Sequence, residues 1–200
     1  MTEPEPTQRI ATIVSGLPRS GTSLLMQMLA AGGIPALCDD HRRPDPHNPN
    51  GYYEFDPVKR TAADASWVAA AAGKAVKVVH VLLPHLPPGY RYRVLFVHRD
   101  VREVIASQRV MLDANGRRGA DLPPERLAEI FARQVRLAIA WAGRQPDVSM
   151  LELRHRDLIQ DPAAEARRIN RFLGGALDET AMAAAVNPSL YRQRQPNPFP

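Results

Sequence analysis

The segment VSGLPRSGTS, Val14 to Ser23, constrains the fold more than any other part of the chain. It joins a β-branched apolar run, Ile10 to Val14, to a pattern with Leu24, Leu25, Met28 and Leu29 at helical spacing, stopped by Gly32-Gly33. Gly16 and Gly21 keep the G-x-x-x-x-G spacing with which a backbone wraps phosphate oxygens. Strand, glycine loop and helix in that order bring inward-pointing N–H groups and the positive end of a helix to one place. Ligands of such folds sit at the carboxyl ends of parallel strands.

The nucleotide triphosphatase version of this loop continues with Lys and then Ser or Thr after the second glycine. Here Gly21 is followed by Thr22 and Ser23, and the nearby cation is Arg19, inside the loop next to Ser20. Arg19 offers a planar fork for two oxygens, and Thr22 and Ser23 add hydroxyl donors. A triphosphate with magnesium is a poor match, whereas a less charged terminal group beside a phosphate needs less neutralisation.

Further apolar runs follow at Val76 to Val81, Arg93 to Val97 and Val148 to Leu153, each read as a strand. Helices are expected from Pro57 to about Ala72, after Asp100 as N-cap, over the stripe Leu127 to Trp141, and from Asp161-Pro162 to Gly174-Gly175. Alternation of this kind predicts an α/β fold: a three-layer, open, mainly parallel sheet flanked by helices, P-loop NTPase-like. Residues 1–200 read as one domain with tails at 1–8 and 187–200. Trp67, Phe131, Trp141 and Phe172 are expected in the core, and Arg102 with Glu103 on a solvated helix face. At 44% apolar residues the chain carries enough hydrocarbon for a core without staples. The lone Cys38 has no internal disulfide partner, which predicts a reducing, cytoplasmic setting. No uncharged apolar run approaches the ~20 residues of a membrane span. The net charge of +5 suits an anionic ligand, but the arginines are scattered rather than gathered on a recognition helix, so no nucleic-acid partner is expected. The histidines and the cysteine show no metal-ligand spacing, so no metal is expected.

PRSGTS, Pro18 to Ser23, resembles the 5′-phosphosulfate loop of sulfotransferases that use 3′-phosphoadenosine 5′-phosphosulfate (PAPS). FVHRDVREVIASQ, Phe96 to Gln108, resembles their second motif, in which an arginine after a strand and a serine eight positions on hold the 3′-phosphate; Arg99 and Ser107 keep that spacing. NPNGYYEFD, from Asn48, and LRHRDLIQDPAAEARRINRFLG, from Leu153, are similar to bacterial members. The resemblance implies PAPS as sulfuryl donor and PAP as product, with Arg19, Ser20, Gly21, Thr22, Ser23, Arg99 and Ser107 as binding residues. It also implies in-line transfer to a hydroxyl or amine of a small-molecule or carbohydrate-type acceptor. Lys77 resembles a lysine on the equivalent strand of bacterial relatives, placed to contact the bridging oxygen. The K-T-H and R-K-G-x-x-G patterns of other members are absent; Tyr191, Arg192 and Arg194 are the candidates for the second of these.

An acceptor hydroxyl needs a base within hydrogen-bond reach. The candidates are Asp39, Asp40, His47, Glu54, His80 and His85. Glu54 stands out because it follows a polar loop suited to an acceptor pocket, with Tyr52, Tyr53 and Phe55 beside it. It equally suits the first turn of a helix opening at Pro57. Asp40 is second: it resembles the catalytic acid of tyrosylprotein sulfotransferases in its distance beyond the loop, though nothing around it matches, and His80 on its strand reads more readily as a satisfied core residue. Two other readings stand: a small ATP-dependent kinase, and a protein that binds PAP without turnover.

Overall fold

The computed structural model describes residues 10–39, 51–114, 116 and 118–191. The expected tail at 1–8, together with Asp40, His47, Arg117, Arg192 and Arg194, lies outside them.

The elements run β1 (Ile10–Gly16), α1 (Thr22–Ala31), β2 (Ala75–Lys77), β3 (Arg91–His98), α2 (Val101–Ala114), α3 (Pro124–Ala142), β4 (Val148–Arg154), α4 (His155–Gln160), α5 (Pro162–Leu173) and α6 (Glu179–Ala184). The strands make one parallel sheet in the order β2-β1-β3-β4. Val14 is level with Lys77 on one side and Leu95 on the other, so the three strands end along a common rim. Along β3, Val94 and Phe96 join one apolar cluster with Ala11, Ile13, Trp67 and Ala138, while Leu95 and Val97 join another with Leu25, Met28, Leu153 and Ile169. A period-2 strand that is apolar on both faces must be covered on both, which makes the three layers. The α/β parallel architecture expected from the sequence is thus the observed one. Among the described residues no helix is long and apolar enough to cross a membrane.

Four expectations need correction. The helix expected from Pro57 to Ala72 is two 3₁₀ turns, Asp56–Arg60 and Ser66–Ala71. Side chains there compete with the helical ladder: Thr61 Oγ1 donates to the Val58 carbonyl at 2.5 Å, Asp64 accepts from the Ser66 amide at 2.9 Å, and Trp67 Nε1 donates to Thr61 Oγ1 at 3.1 Å. The strand expected to Val81 stops at Lys77, and His80 opens a 3₁₀ turn, His80–His85, instead of lying on a strand. Trp67 is buried as expected, but Phe131, Trp141 and Phe172 are half-buried at the margins. The expected C-terminal tail begins with structure: Pro188–Leu190 is a 3₁₀ turn, and Tyr191 packs on the rim of the sheet.

Candidate functional site

At the carboxyl end of β1 the chain leaves the sheet through Gly16 and returns at Gly21, the N-cap of α1. Both glycines are fixed by close approach. A Cβ on Gly16 would stand 2.6 Å from the Val97 carbonyl oxygen, and one on Gly21 would stand 2.3 Å from His155 Cδ2. Arg19 sits in the left-handed region at φ +75, a conformation that costs an arginine about 1–2 kcal/mol and is held by its neighbours. Those neighbours come from the turn after β3 and from α2. Arg99 Nη1 donates to the Arg19 carbonyl at 3.0 Å, Gln108 Nε2 to the Pro18 carbonyl at 3.0 Å, and Arg19 Nε to Ser107 Oγ at 3.1 Å. Asp100 caps α2 as expected, accepting from the Arg102 amide at 2.8 Å.

A cavity of about 360 Å³ opens over this loop. Its wall includes Arg19, Gly21, Thr22, Ser23, Glu54, Lys77 and Arg99, seven of the residues singled out from the sequence. Ser20 and Ser107 stand behind it. The Ser20 hydroxyl is fully buried beneath Gly16, and the Ser107 hydroxyl is engaged by Arg19. Lys77 Nζ donates to the Tyr52 carbonyl and lies 3.5 Å from Ser23 Oγ, which ties the end of β2 to the first turn of α1. Glu54 is held from the backbone side, where its carbonyl accepts from the Asp39 amide at 2.8 Å; its carboxylate is 3.9 Å from Lys59 Nζ. Tyr52 and Phe55 also line the cavity, whereas Tyr53 packs into the apolar cluster beneath α1.

His80 is not part of the wall. It is 3% exposed, its Nδ1–H donates to the Gly16 carbonyl at 3.2 Å, and its Nε2 lies 3.1 Å from the Gln134 side-chain amide. Both ring nitrogens are thus committed to pinning the start of the loop against α3.

Three wall or near-wall residues carry more than the sequence suggested. Glu103, expected on a solvated face beside Arg102, is 5% exposed. It accepts from Arg99 Nε at 2.9 Å and from the Tyr191 hydroxyl at 2.8 Å. Tyr191 also places its ring under the Arg99 guanidinium, 5.3 Å from Cζ to centroid. A buried guanidinium requires such compensation, since an unpaired charge away from water is costly. His155, the first residue after β4, presses edge-on against Tyr191 with ring centroids 4.9 Å apart. Nothing in its sequence spacing marks it; the rule that ligands gather where strands end is the signal that points to it.

Burial, reinforced by the positive Arg99, holds the His155 pKa down to about 4. The unfolded chain takes up the proton near pH 6.5, and the folded chain resists it until about pH 4. Stability therefore falls as pH drops through that window, by about 3 kcal/mol in all. His155→Phe is expected to flatten this slope by one proton in urea unfolding series from pH 8 to 4. An unchanged slope would mean that the ring titrates normally in the folded protein.

The description "Sulfotransferase family" belongs to the family model that matches residues 91–179, from the start of β3 to the start of α6. Among solved structures, the sulfotransferase domain of the Synechococcus PCC 7002 olefin synthase is 19% identical with a TM-score of 0.55, over 96% of this chain and 89% of that one. The sulfotransferase domain from the curacin biosynthetic pathway is 17% identical with a TM-score of 0.53, over 95% and 93%. Retinol dehydratase in complex with androsterone and the inactive cofactor PAP is 18% identical with a TM-score of 0.51, over 95% of this chain. This chain spans 65% of the length of retinol dehydratase. No protein of curated function matches. These likenesses identify the fold as that of the sulfotransferases.

Proposed function

We propose that this protein is a PAPS-dependent sulfotransferase that delivers a sulfuryl group to an acceptor hydroxyl or amine. The observation that carries the reading is the single cavity in which Arg19, Thr22, Ser23, Lys77 and Arg99 converge over a helix N-terminus, with the Glu54 carboxylate on the same wall. The residues fit the nucleotide. Three cationic side chains meet its anionic groups, and the buried Ser20 Oγ and His155 Nδ1 have no hydrogen-bond partner among the described residues. The match of β3 to α6 with the sulfotransferase family, and the PAP bound in retinol dehydratase, support the same cofactor.

PAPS supplies the activated sulfuryl group. The backbone N–H groups at Gly21 to Ser23 and the Arg19 fork would hold the 5′ end, and Arg99, backed by Glu103, would hold the 3′-phosphate. Ser107 acts through Arg19, whose Nε it holds. Lys77, anchored on the Tyr52 carbonyl, would offer its ammonium to neutralise charge on the leaving phosphate. Glu54 accepts the proton of the acceptor hydroxyl or amine. Positioning and charge neutralisation together carry the rate, since each group is fixed before the acceptor arrives.

Titration calorimetry with PAP, run beside ATP with magnesium, tests the reading. Micromolar or tighter PAP binding with no response to ATP is expected; ATP binding with PAP inert would replace it with a kinase. Arg99→Ala is expected to weaken PAP binding by about 1.5–3 kcal/mol, the range for a lost charged hydrogen bond. Unchanged affinity in this variant removes Arg99 from the 3′-phosphate site.

A further inference from the structure

The cavity has two unlike ends. Past the ends of β3 and β4 its polar lining is Arg99, His155 and Tyr191, with Met111 and Ile159 also in the wall. On the β2 side, Phe55, Val58, Val78, Val79 and Leu82 line it together with Lys77, Glu54 and Lys59, the last lying 3.9 Å from the Glu54 carboxylate. The backbone behind these side chains is largely engaged elsewhere. The Val58 amide donates to the Phe55 carbonyl at 3.0 Å, the Leu82 amide to the Val79 carbonyl at 2.9 Å, and the Val78 amide to the Val14 carbonyl at 2.9 Å. The 3₁₀ turns that replaced the expected helix and strand thus bring Val58 and Leu82 to the cavity while their backbone amides stay paired within the turns. Val58 and Val78 belong to the buried cluster on this face of the sheet, and Phe55 and Leu82 pack against it, so the surface is backed by core.

We propose that the acceptor is an apolar alcohol or amine, one reacting group on a hydrocarbon or aromatic body, and not a sugar. The inference rests on the sulfotransferase reading of the same site and narrows it. A sugar ring carries a hydroxyl on most of its carbons. Each one set against this wall loses its bonds to water and gains none in return. A hydrocarbon body gains from leaving water, while its single hydroxyl or amine meets Glu54 and Lys77 at the junction with the cationic end. A single added hydroxyl is rejected only about 100-fold by a hydrophobic pocket, and a sugar presents several at once.

The test pairs acceptors with the same reacting group on different bodies: 2-naphthol against glucose, and benzylamine against glucosamine. Binding to the PAP-saturated protein is read by saturation-transfer NMR, and transfer from PAPS by mass spectrometry of the product. Binding and sulfation of 2-naphthol or benzylamine, with the sugars inert, is the expected result. Leu82→Asn and the near-isosteric Val79→Thr are expected to lower 2-naphthol affinity several-fold and leave PAP affinity unchanged. Sugars binding as well as their apolar counterparts overturns the proposal, as does a protein that binds PAP and none of the four. Failure to bind PAP is a different result: it overturns the sulfotransferase reading on which this proposal stands.

Discussion

Glu54→Gln is expected to lower kcat by about 100- to 10,000-fold while PAP binds as in the wild type, the range for removing a positioned proton acceptor. The substitution keeps the size and hydrogen-bonding shape of the side chain and removes only its capacity to take a proton. Among the described candidates, Asp39, Glu54, His80 and His85, Glu54 is the one that lines the cavity. His80 is buried beneath the loop, with one nitrogen bound to the Gly16 carbonyl and the other beside Gln134, so an acceptor in the cavity does not meet it. Glu54 lines the cavity together with Lys77. Single-turnover rates with saturating PAPS, measured alongside PAP calorimetry, separate a lost chemical step from a lost binding step. A kcat close to that of the wild type moves the proton-accepting role to another residue.

The parts of this site that could be read from the sequence are those whose function is local. Strand, glycine loop and helix are consecutive, so the placement of Gly16, Gly21, Thr22 and Ser23 where β1 passes into α1 follows from spacing alone. Arg99 was legible because it leaves the sheet one strand over, and parallel strands deliver their ends to one rim. Roles created by long-range packing were not legible. Glu103 lies one position along from the exposed Arg102 on α2, and what removes it from solvent is Tyr191, 88 positions later. His155 is an unremarkable histidine until Gly21 and Tyr191 close on it. The two failed elements share a cause: the segments from Pro57 and Val78 have acceptable helix and strand patterns. Thr61, Asp64 and His80 nevertheless spend hydrogen bonds on nearby backbone or on the loop, and those bonds select 3₁₀ turns. Propensity describes a segment in isolation, and these segments are bent by the site they serve.

Gly21→Ala is expected to destabilise the fold by roughly 2–5 kcal/mol, from two causes acting at one atom. The first is backbone strain: Gly21 has φ +106, outside the range that side chains adopt readily. The second is collision, because the added Cβ would lie 2.3 Å from His155 Cδ2, and the ring has little room to retreat. It is 7% exposed, and the Tyr191 ring stands edge-on at 4.9 Å. Gly73→Ala separates the causes, because Gly73 has φ +70 but nothing within 4 Å of an added Cβ, so it reports strain without collision. Chemical unfolding of the two variants is expected to show the larger loss at Gly21. In the double variant Gly21→Ala/His155→Ala the collision is gone, so the total loss should be smaller than the sum of the single losses. Equal losses at Gly21 and Gly73, or strict additivity in the double variant, would show that His155 does not pack on the loop. An intact coupling means that the start of α1 and the end of β4 are locked together by direct contact. The same lock carries Tyr191 and, through it, the Arg99 guanidinium, so Gly21→Ala should also weaken PAP binding although it removes no charged group.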